Sequence, residues 1–177
     1  MKRLTIAALM LAAGLGAASC GDDDNPNGPS TTGPIVFTAQ LSAANEVPPI
    51  TSNEANGRGT ATVTMNVPRD SAGNPTDAGT MNFSVQLSGL PASTPIILGH
   101  IHIGATGTNG TVVVNTGLSA AAPLVLSDGT ANVTFNDRPV PAADAAAIYN
   151  NPAGYYVNFH SVQHPGGVVR GQLVRQQ

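Results

Sequence analysis

All four histidines of the chain fall in two short segments, Gly99-His100-Ile101-His102-Ile103-Gly104 and Asn158-Phe159-His160-Ser161-Val162-Gln163-His164-Pro165-Gly166-Gly167. In an extended strand successive side chains project to opposite faces. His100 and His102 therefore share a face, with Ile101 and Ile103 on the other. His160 shares a face with Asn158 and Tyr156, opposite Val157 and Phe159. If the apolar residues of both segments enter a core, the imidazoles point away from it, and they converge only if the two strands are near neighbours. Neutral imidazole binds copper, zinc, iron and nickel. His100, His102, His160 and His164 are thus candidate ligands for a transition metal, copper or zinc. The alternative is a set of hydrogen-bonded structural or recognition histidines, because a His-x-His pair alone is a weak signal. Residue type and spacing leave both open.

Little else in the sequence carries chemistry. Asp128, Asp137 and Asp144 have no regular spacing to the histidines, and Asp77 and Glu54 read as loop residues. There is no nucleophile motif and no paired-carboxylate pattern. Gly104-Ala105-Thr106-Gly107-Thr108-Asn109-Gly110 resembles a phosphate loop only in composition. It precedes a strand rather than a helix, so it offers no helix N-terminus and reads as a tight hairpin. No catalytic residue is assigned, and the expectation leans to a non-enzymatic protein. Arg170 alternates with Val169 and Gly171 and so shares a face with Gln172. It is expected to pair with a carboxylate or with loop carbonyls near the histidines, with Asn158 as a second structural residue there.

The elements that must position these residues are strands. Ile35 to Ser42 alternates, and the prolines of Ala43-Ala44-Asn45-Glu46-Val47-Pro48-Pro49 end it. From Gly59 to Val67 the alternation is strict, with Ala61, Val63, Met65 and Val67 on one face. Met81, Phe83, Val85 and Leu87 follow a polar turn over 68–78, which predicts a hairpin with a long loop. Further strands are expected over 96–103, 111–115, 129–135, 154–161 and 168–174. One short helix is expected over 141–150, with Pro141 in its first turn. The fold class is all-β: an antiparallel Greek-key-like β-sandwich or flattened barrel with one short helix in a connection.

The N-terminus sets the expected location. Met1-Lys2-Arg3 precedes an uncharged run over 4–19 that ends in Ala17-Ala18-Ser19-Cys20, the pattern of a secretory signal followed by a lipidated cysteine. The division expected is a signal peptide over 1–19, a lipidated Cys20 and flexible tether over 20–34, and a folded domain over 35–175. Cys20 is the single cysteine, so no intramolecular disulfide can form. The expected setting is extracytoplasmic, anchored to a membrane through lipid, with the outer membrane or cell surface favoured because Gly21 stands where a retention aspartate would. Net charge is −3 and only 10% of residues are charged. With no basic stripe to meet phosphates, a nucleic-acid partner is not expected.

Several segments resemble the CHRD domain, a module named from the animal protein chordin and widespread in bacterial secreted proteins. They are Phe37-Thr38-Ala39-Gln40-Leu41-Ser42-Ala43-Ala44-Asn45-Glu46-Val47-Pro48-Pro49, His100-Ile101-His102-Ile103-Gly104, Asn109-Gly110, Tyr156-Val157-Asn158-Phe159-His160-Ser161, His164-Pro165-Gly166-Gly167 and Arg170-Gly171-Gln172-Leu173. The resemblance runs in order from about Ile35 to Val174. It departs at Val168, where the family usually carries an acidic residue. It implies an extracellular β-sandwich and little about activity. The His-x-His strand is also similar to that of copper–zinc superoxide dismutase, itself a Greek-key sandwich, but that enzyme's bridging histidine, zinc-site aspartate and disulfide have no obvious counterpart here. Fold similarity of this kind does not assign function. Two functions stay open: a surface module for a protein or matrix partner, and a copper- or zinc-binding protein.

Overall fold

The computed structural model describes residues 33–176. The expected signal peptide, Cys20 and nearly all of the expected tether lie outside those residues. In chain order the strands are β1 (Ile35–Ser42), β2 (Arg58–Asn66), β3 (Gly79–Ser88), β4 (Thr94–Ile103), β5 (Val112–Asn115), β6 (Leu124–Leu126), β7 (Ala131–Val140), β8 (Tyr155–Ser161), β9 (Val169–Gln172) and β10 (Val174–Arg175). Among the described residues a single α-helix, α1 (Ala142–Asn150), occupies the β7–β8 connection.

The strand order is β5-β4-β8-β9-β1-β2-β3-β7, with β6 added to β4 and β10 to β1, and every pairing is antiparallel. The end strands β5 and β7 lie against each other, so the sheet curls into a nearly closed, flattened barrel. Closure leaves few free edges to recruit another chain. The expected class, all-β with one short helix in a connection, is the class observed.

Alternation builds the core. Ile35, Phe37, Ala39 and Leu41 of β1 point inward beside Ala61, Val63 and Met65 of β2 and Met81, Phe83, Val85 and Leu87 of β3. Register aligns Phe37 with Val63, Val63 with Phe83, and Phe83 with Phe135, a continuous row across four strands. Each large apolar side chain fully buried contributes about 1.5–3 kcal/mol. No cysteine lies among the described residues, so burial and strand pairing hold this domain.

Some boundaries differ from expectation. The seventh strand runs on to Val140, past the expected end at Phe135. The register shifts between Met81 and Phe83, and Asp137 takes a left-handed φ of 57°, so a bulge absorbs residues that read as a loop. The short strands β6 and β10 carry no periodicity long enough to read and exist because β4 and β1 offer them ladders. Pro141 caps the helix instead of entering its first turn. Ile103, expected in the core, is 45% exposed, because β4 ends there at the β4–β5 turn.

The departure that matters for function is β8, buried at every position on both faces. Val157 and Phe159 enter the barrel core. Tyr156, Asn158 and His160 face outward yet are covered. Three connections contribute to that cover: 43–57 between β1 and β2, 104–111 between β4 and β5, and 162–168 between β8 and β9. They are tied to one another and to the sheet. Asn109 Nδ2 donates to the Val47 carbonyl at 2.8 Å, and Asn45 Nδ2 donates to the Arg170 carbonyl at 3.1 Å.

Candidate metal centre

β4 and β8 are direct neighbours, with His100 opposite Asn158, His102 opposite Tyr156 and Leu98 opposite His160. This pairing brings the two histidine segments together. His100, His102 and His160 each present a ring nitrogen to a set whose members all lie within 4.8 Å of one another. The nearest two, His100 Nδ1 and His160 Nε2, are 3.1 Å apart. Nitrogens bound to one tetrahedral ion at 2.0–2.1 Å sit roughly 3.3 Å from each other, so closing the trio on an ion needs ring movements of about 1 Å.

Backbone carbonyls orient two of the rings. His102 Nδ1 donates to the Gly110 carbonyl at 2.9 Å, and His160 Nδ1 donates to the Pro165 carbonyl at 2.8 Å. Each bond fixes the proton on Nδ1 and leaves the lone pair on Nε2. His160 Nε2 faces His100. His102 Nε2 is buried and has no hydrogen-bond partner. An unpaired buried acceptor costs about 1–3 kcal/mol, which an electrophile at this point would remove. Asn158 Oδ1 is a second buried acceptor without a partner, on the residue paired across from His100.

The trio is held uncharged. Burial, then repulsion from His160 and His102, pushes the His100 pKa down to about 4. Burial also lowers His102 and His160, against opposing bonds to Gly110 and Pro165. Neutral imidazole is the form that binds metals. His102 stacks on Tyr156, with ring centroids 4.9 Å apart and planes 5° from parallel. The Arg170 guanidinium lies over the same tyrosine, 3.4 Å from its centroid.

Arg170 is only 1% exposed. It donates to the carbonyls of Ala105 and Thr108 at 3.0 and 2.7 Å and to Asn109 Oδ1 at 3.1 Å. These are the loop carbonyls expected of it, and its Nη2 also reaches Gln172 Oε1 at 3.4 Å. Arg170 thus fastens the β4–β5 turn that carries Gly110 and, through it, the His102 ring. Asn158 donates to both carboxyl oxygens of Glu46, at 2.9 and 3.1 Å. Burial pushes the Glu46 pKa up to about 7, with Arg170 and Asn158 pulling the other way.

His164, expected as a fourth ligand, is not part of the trio. Its Nδ1 donates to Glu54 Oε2 at 2.5 Å, and Ser161 Oγ donates to the same oxygen at 2.7 Å. The reason is the sharp 162–167 turn, which breaks the alternation that would have set His164 on the face of His160. Glu46 and Glu54 are the residues that sequence reasoning missed. Both lie in irregular segments with no periodicity, and only the folding of the 43–57 connection over β8 buries them. Val168 is fully buried in the core, and the carboxyl nearest this region's Asn158 and Arg170 is that of Glu46.

The family model described as the CHRD domain matches residues 37–173. That span holds the barrel strands β2 to β9, the three histidines and both buried glutamates. Among curated proteins none matches the chain.

Proposed function

The chain belongs to the CHRD domain family, and we propose that this member is an exported, lipid-anchored binding module whose ligand is a transition-metal ion, copper or zinc, held by His100, His102 and His160. The observation that carries the reading is the arrangement of the lone pairs. Two carbonyls hold the Nε2 atoms of His102 and His160 free of protons, and the first of these is buried without a partner. In a hydrogen-bonded structural cluster that atom is expected to have a partner. The reading is non-enzymatic: it rests on a set of neutral ligand side chains. His164 and Glu54 act one step out, by holding the loop that carries the Pro165 carbonyl.

Export, lipidation at Cys20 and placement at the outer membrane or cell surface belong to the same proposal. They rest on the Lys2-Arg3 pair, the uncharged run and the small residues before Cys20. Labelled fatty acid incorporated by the protein, and lost in Cys20→Ala, tests the anchor.

Elemental analysis of the purified protein and titration with copper and zinc test the metal. One ion per chain, lost in His100→Ala and His160→Ala, is the expected result. Absence of stoichiometric metal at neutral pH removes the reading. A second reading, a protein or matrix partner, has one specific observation behind it. A groove of about 580 Å³ runs beside the site, lined by Val47, Pro49, Thr106, Gln172 and Val174 among others, and Val174 is 58% exposed.

A further inference from the structure

The charge balance of the trio bears on which ion it takes. Among the described residues, the group of potential ligands consists of three imidazoles and contains neither a carboxylate nor a thiolate. All three are neutral donors, so they cancel none of the charge of a bound ion. His100 and His160 are 6% and 5% exposed, and His102 Nε2 is out of contact with solvent, so water screens the site poorly. A low local dielectric magnifies each uncompensated charge.

The fixed charge beside His102 is positive. The Arg170 guanidinium lies over the Tyr156 ring against which His102 stacks, and it cannot swing away, because it is bonded to Ala105, Thr108, Asn109 and Gln172. Glu46 offsets this charge only in part. Its carboxyl is directed at Asn158, not at a histidine, and burial raises its pKa. A divalent ion would therefore sit in a dry pocket beside a pinned cation with no anionic ligand.

Coordination number points the same way. Zinc takes four ligands and completes a three-histidine set with water or substrate. Copper(II) favours a square-planar or tetragonal field of nitrogen and oxygen donors. Copper(I) is a closed-shell monovalent ion that three donors satisfy. Among the histidine, cysteine and carboxylate side chains of the described residues, the donors brought together here are the trio. The geometry points to copper(I) as the ion for which this site is built, in preference to zinc or copper(II). This inference rests on the metal-binding reading given above.

The test uses the full chain. Copper(I) is titrated anaerobically against a coloured copper(I) chelator, and zinc and copper(II) are titrated in parallel against their own indicators. X-ray absorption of the copper(I) form counts its ligands. The expected result is one copper(I) per chain in a three-nitrogen shell, bound at least tenfold tighter than copper(II). Each such tenfold raises the potential of the bound couple by 59 mV above that of free aqueous copper. Zinc or copper(II) bound more tightly than copper(I), or a fourth oxygen donor in the copper(I) shell, overturns the monovalent preference and leaves the metal site standing. No stoichiometric binding of any of the three, or binding unaltered in His100→Ala and His160→Ala, overturns both.

Discussion

His100 Nδ1 and His160 Nε2 lie 3.1 Å apart, although the two residues are separated by 60 positions in the chain. Because the Pro165 carbonyl fixes the proton of His160 on Nδ1, His100 is the donor in this contact. An ion held through His100 Nδ1 would require the His100 proton on its other ring nitrogen, a change of tautomer with no change of charge. Replacing His100, His102 or His160 with Ala is expected to lower metal affinity by more than the roughly 10–100-fold that outer-shell changes cost. His164→Ala is expected to stay within that range and to retain one ion per chain. Equal losses in all four variants, read by titration, would restore His164 as a ligand and contradict the structure.

Glu54 is expected to act through the loop it anchors. Its carboxylate holds Ser161 and His164, the His164 backbone N–H donates to Ser161 Oγ at 3.0 Å, and the Gly167 N–H donates to the His164 carbonyl at 3.0 Å. Pro165 lies inside that bonded turn. Glu54→Ala is expected to cost about 1–3 kcal/mol in denaturant unfolding and to weaken metal binding about 10–100-fold. Nitrogen NMR shifts should report a mixed tautomer for His160. A folded variant with unaltered affinity and an unaltered His160 tautomer would show that the clamp does not position the ring.

Stability should carry two opposing pH dependences. The His100 pKa is about 4 in the folded chain, against about 6.5 unfolded. The unfolded state therefore takes up a proton first as pH falls, and stability is lost between about pH 6.5 and 4. Glu46 is raised from 4.5 to about 7. Its folded form holds the proton longer, so its contribution is complete below about pH 4.5 and is lost as pH rises to 7. Glu46→Gln removes only the second dependence. Between pH 5 and 7 its unfolding free energy should therefore climb with pH more steeply than that of the parent. A parallel pair of curves from chemical denaturation would refute the assignment.

Arg170 should be the costliest single position outside the apolar core. Truncation to Ala leaves the Thr108 carbonyl unpaired, takes one donor from the Ala105 carbonyl and leaves Glu46 without its nearest cation. The expected loss is about 3–5 kcal/mol, the usual effect of breaking a buried charge network. Arg170→Lys should recover only part of it, because an ammonium cannot reproduce the planar fork over Tyr156. Full recovery by Lys in thermal unfolding would mean that charge alone suffices there.

The strands that form the core were legible in the sequence because a half-buried strand must alternate. Ile35–Ser42 is observed at the expected boundaries, and the inward sets of β2 and β3 are the alternating residues, except that Val67 falls beyond the end of β2. The same rule put His100 and His102 on one face and aligned His160 with Asn158 and Tyr156. Alternation is a local property, and it says nothing about which strands become neighbours.

Three matters required the tertiary structure. Pairing of β4 with β8 turned two histidine segments into one trio. The turn after Ser161 carried His164 to Glu54 instead. Three irregular connections closed over the outward face of β8, burying Glu46, Glu54 and the imidazoles. Connections have no period to read, and their burial depends on contacts between residues distant in sequence. So the residue types and their side of the strand came from the chain itself. The depression of the His100 pKa, the elevation of Glu46 and the unpaired His102 nitrogen came from the low-dielectric enclosure that only the assembled barrel and its loops create.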